Sequence, residues 1–224
     1  MVDPRRSSPE PPWAGPEIMH TPGTADDLMR ELAPILAEDG IDLDDPDSIP
    51  DMETLQAALD RAVERRNMEL FTPVGEARSL ALTTLRLFVE AIADDQTELA
   101  GAILATAVPE SPDGSQATVA GTIGVALDLL DTILPGNHPD APPGIGAKAR
   151  LPKGHWYGER AARDILDLAR RGRAHSALGA LITKQGSHAV QSGAAIALAG
   201  TMQAWASLVG QPVDQVAPSA FATE

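Results

Sequence analysis

The chain contains no cysteine. That removes thiolate zinc sites, iron–sulfur clusters, nucleophilic thiols and disulfides, and it suits a reducing compartment such as the cytoplasm. Aromatic residues are scarce as well. Three Trp, one Tyr and three Phe leave the core to Leu, Ile, Val and Ala. Segments rich in Ala and Leu with few β-branched runs favour helix over strand.

Positive charge is the next shortage: 17 Lys and Arg stand against 32 Asp and Glu, a net charge of −15. Nucleic acid and anionic lipid both need a broad positive footprint, so neither is expected as a partner. The deficit is uneven. Residues 1–113 carry 24 acidic and 8 basic side chains, whereas 148–184 holds nine basic and three acidic ones. Long apolar runs are missing too. The one long uncharged stretch, 185–213, includes Gln191, Ser192, Thr201, Gln203 and Ser207, which is too polar for an ordinary membrane span and reads as a buried central helix. Asp3, Arg5 and Arg6 run into proline and not into an apolar segment, so no secretory leader is expected.

What is present is helical periodicity. At 224 residues the chain suffices for one substantial domain without a metal or disulfide staple. The spacing predicts helices over 25–39, from Ser48 and Asp51 onward, 73–93, 97–107, 115–134, 157–171, 175–184 and 187–210. Thr24, Thr72 and Ser187 are the expected caps, Ser48 with Asp51 resembles a capping box, and Gly40, Gly172 and Gly186 are stops. Pro34 is expected to kink or interrupt the first helix. The fold class is therefore all-α, a bundle or array of about eight helices, in one domain over 23–213 with a candidate subdivision at the proline-rich connection 135–155. Residues 1–22, with six prolines and a PxxP segment ahead of Trp13, read as a disordered tail, and 214–224 read as a frayed end. Residues 87–104 and 165–182 echo each other faintly, as helix, break and helix.

The chemical motifs are mostly negative. No GxxxxGK[ST], HExxH or GxSxG sequence occurs. Gly144, Gly146 and Ala149 fit GxGxxA by letter, but Pro142-Pro143 precedes them where a strand is required. Asp42, Asp44 and Glu53 fall at positions 1, 3 and 12 of a calcium-loop frame, yet Pro46 and Asp47 occupy positions that need an oxygen ligand and a glycine. A solvated acidic turn is expected there instead. His20, His138, His155, His175 and His188 share no metal-ligand spacing, and no metal or cofactor is expected.

Two features remain. Lys148, Arg150, Lys153, His155, Trp156, Tyr157 and Arg160, with Glu159 and Arg163 among them, lie where a Gly/Pro-rich loop meets a helix. One expectation is a phosphate or carboxylate site at a helix start, with His155 as acid or base in a catalytic version of it; the other is a positive surface that docks against the acidic N-terminal half, with Trp156 and Tyr157 anchoring the loop. Ala189, Gly193, Ala197 and Thr201 recur every four residues as a ridge of small side chains that admits another helix closely, from the same chain or from a partner or second copy. The leading functional expectation is a non-catalytic interaction protein with an acidic helical surface. The alternative is a small-ligand protein or enzyme built on 148–163.

Overall fold

The computed structural model describes residues 25–43, 45, 48, 49 and 51–221. The tail 1–22 with its PxxP segment, Thr24, Asp44, Pro46, Asp47 and 222–224 lie outside the described residues. Ten α-helices and no named strand occur among those described: α1 (Ala25–Glu38), α2 (Met52–Phe71), α3 (Gly75–Ala93), α4 (Thr97–Leu104), α5 (Val119–Ile133), α6 (Ile145–Lys148), α7 (Glu159–Ala169), α8 (Leu178–Gln185), α9 (Ser187–Val209) and α10 (Val213–Ala220). A 3-10 turn at His175–Ala177 precedes α8. The all-α expectation is met, with two more helices than the eight read from periodicity. The additions are α6, a single turn inside 135–155, and α10, which replaces the expected frayed end with the buried side chains Val216, Ala217, Ala220 and Phe221.

The chain forms two compact units, Met1–Met68 and Glu69–Glu224. The division falls inside α2.

In the first unit, α1 and α2 form a hairpin around Leu32, Leu36, Ile41, Ala58 and Ala62, with Ile35, Leu43, Leu55, Leu59 and Val63 packed against them. Pro34 lies within α1 without ending it. Capping differs from the expectation. The Ser48 hydroxyl accepts from the Asp42 amide at 2.9 Å and faces the Asp42 and Asp45 carbonyls at 2.7 and 2.8 Å, so it ties the turn together and does not cap α2. Asp51 is the cap. Its carboxylate accepts from the Glu53 and Thr54 amides, both at 3.1 Å, and from the Thr54 hydroxyl at 2.8 Å. Proline at position 50 disfavours helix at Ile49, which moves the start past it. The Thr54 amide and hydroxyl, with the Glu53 amide, hold the Asp51 carboxyl below the ordinary 3.8.

The second unit is organised by α9. Fourteen of its residues are buried, from Val190 to Ala206, and α3, α5 and α7 pack against it, with α6, α8 and α10 completing the cover. A helix covered on all sides has no use for a polar face, which is why the stretch carries no charge. Its few buried polar groups are satisfied: the Gln191 amide donates to the Thr122 hydroxyl of α5 at 3.2 Å, and the Thr201 hydroxyl donates to the Ala197 carbonyl at 2.8 Å.

Glycine sets the closest approaches. A Cβ on Gly193 would stand 2.7 Å from Ala161 of α7, and one on Gly200 would stand 1.9 Å from the Arg150 carbonyl oxygen. Each glycine costs about 1 kcal/mol of helix propensity, and contact at backbone distance is what offsets it.

Three further helix starts depart from expectation. α3 begins at Gly75 with Val74 as an uncapped lead-in, because the end of α2 and Pro73 lie against α5, whose Gly121 and Gly124 make room for Pro73 and the Phe71 carbonyl. α5 begins four residues later than expected, capped by Thr118, whose hydroxyl accepts from the Gly121 amide at 3.0 Å. Residues before it are drawn into a parallel bridge between Val108 and Thr118. In α9, Gly186 is the residue before the helix and Ser187 makes no cap bond.

Candidate functional site

The segment 135–155 is ordered by packing, not left as an open loop. Asn137 and His138 amides donate to the Thr132 carbonyl at 2.9 and 3.0 Å, and Ile145 and Ala149 are buried at either end of α6. Gly144 adopts φ +80° to start α6, and Gly146 lies against the Leu134 carbonyl, where a Cβ would come within 2.4 Å. Both glycines of the GxGxxA letters therefore serve a turn and a close contact. No strand precedes them, and the dinucleotide reading has no structural context.

Two arginines fasten this turn. Arg150 donates to the carbonyls of Ala147 and Ala149 at 2.9 and 2.8 Å. Arg170, from just beyond α7, donates through Nε to Gly146 and through Nη2 to Ala149, both at 3.0 Å, while Nη1 meets Asp167 at 2.6 Å. The last carbonyls of a helical turn lack intrahelical partners, and guanidinium forks satisfy several at once.

The arginine pair forms the wall shared by two clefts. One, of about 730 Å³, is lined by Leu134, Pro135, Gly136, Gly144 and the α6 turn together with Arg150 and Arg170. The other, of about 460 Å³, holds Arg150, Lys153, Arg163 and Arg170 with Glu159, Asp167 and an apolar rim of Leu151, Pro152 and Leu166. Arg163 pairs with Glu159 one turn earlier. Lys153 is exposed and makes no ion pair.

The expected set is thus split. Arg150 and Lys153 line the smaller cleft, but Lys148, His155, Trp156, Tyr157 and Arg160 do not line either cleft. His155 and Arg160 are exposed, and Tyr157 is 70% exposed. The Trp156 indole donates to the Pro152 carbonyl at 3.0 Å and stacks beside Gly154, so it anchors the loop. The expected anion seat at the start of α7 is taken: Glu159 occupies its first turn, and Gly158, at φ +78°, abuts the Ala189 carbonyl of α9. Arg170 belongs to the cleft and was missed by the sequence reading. Its only advance signal was membership of the Arg170, Arg171, Arg173 cluster beyond a helix end.

The small-residue ridge is filled from within. Ala161 and Ala162 of α7 cover Gly193, Gly158 meets Ala189, and Ala197 and Thr201 are fully buried. Among the described residues, no group of three or more His, Asp or Glu is placed to hold a metal ion. His138 sits edge-on to Trp205 at 5.4 Å and accepts from the Asp140 amide at Nδ1, while the His175 amide is bound by Asp131. His20 lies outside the described residues, as does Asp44 of the calcium frame.

The first unit carries a face of opposite sign. Every arginine of α2 is turned back onto α1 and the residue after it: Arg65 meets Glu38 at 2.9 Å and Asp39 at 3.5 Å, Arg61 meets Asp39 at 3.7 Å, and Arg66 meets Glu31. Glu53, Asp60 and Glu64 fall on the other side of the helix, at spacings that share one face. They are exposed and held in no ion pair, and Met68 follows one turn on at 63% exposure. No single helix among the described residues is long and apolar enough to cross a membrane. Compared with protein-family models, with characterised proteins and with solved structures, the chain matches none.

Proposed function

We propose that this protein is a non-catalytic interaction protein whose acidic hairpin receives a basic partner segment. One observation carries the reading: α2 spends its arginines on α1 and presents Glu53, Asp60 and Glu64 outward without counter-charges. Met1–Met68 has 16 acidic and 6 basic residues, a balance of −10. Such a field raises association rates for cations and rejects partners of its own sign. Met68 supplies an adaptable apolar contact beside it. The absence of cysteine suits a reducing compartment, and we place the interaction in the cytoplasm.

The test is fluorescence anisotropy of a labelled Lys/Arg-rich helical peptide with the full chain, compared with Glu53→Gln/Asp60→Asn/Glu64→Gln. Neutralising the three carboxylates is expected to weaken binding about 10-fold at low salt and to flatten its dependence on ionic strength. Equal affinity for the wild type and the triple variant would refute the proposal.

A second reading, binding of a small anion, is favoured by the clustering of Arg150, Lys153, Arg163 and Arg170 around one cleft.

A further inference from the structure

We infer that the cleft between the 150–154 loop and α7 binds a phosphate group, free or as a monoester. Its two central cations are held mainly by neutral groups. Arg150 is fixed by two neutral carbonyls, and Arg170 by two more in addition to Asp167. A carbonyl orients a guanidinium without cancelling its charge, whereas a carboxylate does both. Arg150 therefore stands pre-organised and un-neutralised, with its Nε and second terminal nitrogen outside these bonds. Pre-organisation removes the ordering cost that a flexible cation pays on binding.

Charge balance selects the ligand. Four cations, Arg150, Lys153, Arg163 and Arg170, and two anions, Glu159 and Asp167, line the cleft. The surplus is +2, matching a phosphate monoester at neutral pH, whose second pKa is about 6, and close to the charge of the free ion at pH 7.5. Guanidinium forks meet two phosphate oxygens at once, and Lys153 adds a mobile point charge. The volume, about 460 Å³, exceeds what an inorganic phosphate fills. The rim of Leu151, Pro152 and Leu166 leaves apolar room for the alcohol part of an ester.

Phosphate binding here rests on the small-anion reading of the same cleft and names its ligand class, and it shares no residue with the acidic hairpin. The experiment measures thermal melts of the full chain at pH 7.5 with inorganic phosphate or phenyl phosphate, each against sodium chloride of equal ionic strength. With a dissociation constant of about 1 mM, 20 mM ligand is expected to raise the melting temperature by roughly 4–7 °C over chloride. Lys153→Gln is expected to weaken binding about 5-fold. Arg160→Gln, which removes the same charge from the exposed face of α7 outside the cleft, is expected to leave it unchanged. A larger shift with phenyl phosphate places the natural ligand among monoesters, and a larger shift with inorganic phosphate places it with the free ion. The proposal is overturned if neither anion exceeds chloride, or if Arg160→Gln weakens binding as much as Lys153→Gln. In that last case the effect is only the diffuse field of the surface.

Discussion

Replacing Gly200 by alanine tests the packing of α9 most directly, because propensity and packing predict opposite signs. In an unencumbered helix the change stabilises by about 1 kcal/mol. At position 200 the new methyl would lie 1.9 Å from the Arg150 carbonyl oxygen, 2.9 Å from its carbon and 3.2 Å from Pro152 Cδ. Real Cβ atoms keep beyond 3.0 Å, and the obstacle is backbone and cannot rotate away. The 150–152 loop must retreat by more than an ångström, which strains the Arg150 and Arg170 bonds to the α6 carbonyls. Overpacking of this kind costs about 3 kcal/mol, so the net loss is about 2 kcal/mol after the propensity gain. For a unit of this size that lowers the melting temperature by roughly 4–8 °C. Gly101→Ala is the matched control, since its Cβ meets nothing within 4 Å in the middle of α4, and it is expected to raise stability by about 0.5–1 kcal/mol. Urea or thermal unfolding of both variants decides the matter. Equal stabilisation by the two substitutions would show that the loop does not rest on α9.

Two further outcomes follow from the hydrogen bonds. Thr122→Val is expected to leave the buried Gln191 amide without its acceptor and cost about 1–2 kcal/mol, while adding Gln191→Leu recovers most of that loss; a double-mutant cycle in urea with no coupling would contradict the bond. The Asp51 carboxyl has its folded pKa below its unfolded one, so its stabilisation is complete above pH 3.8 and fades as pH falls through the lower, folded value. Asp51→Asn keeps an oxygen acceptor for the Thr54 amide but has no proton to gain, so acid titration of its stability is expected to be flatter than that of the wild type below pH 4, as followed by circular dichroism.

Much of the fold was legible because periodicity is local. Leu32 and Leu36, or Ile123, Leu127 and Leu130, announce a helix and its inward face from spacing alone, and Gly40 and Gly172 announce its end through the left-handed turn that they permit. Helix starts were harder. Ser48 and Thr72 are good caps by type, but proline at position 50 and the crossing of 71–73 over the glycines of α5 moved the true starts beyond them.

The candidate site was only half legible. Sequence gathered cations at 148–163 but could not say which carbonyls would claim them, so Arg170, distant in the chain, was missed and the exposed His155, Tyr157 and Arg160 were included. The glycine ridge shows the same boundary: composition required that something approach α9 closely, and only the fold decided that α7 and the 150–152 loop are what approaches. Charge, period and the absence of cysteine are properties of the chain and survive any folding. Which group is consumed by a neighbour, and which is left facing water, depends on contacts between residues far apart in the chain, and those exist only once the chain has closed on itself.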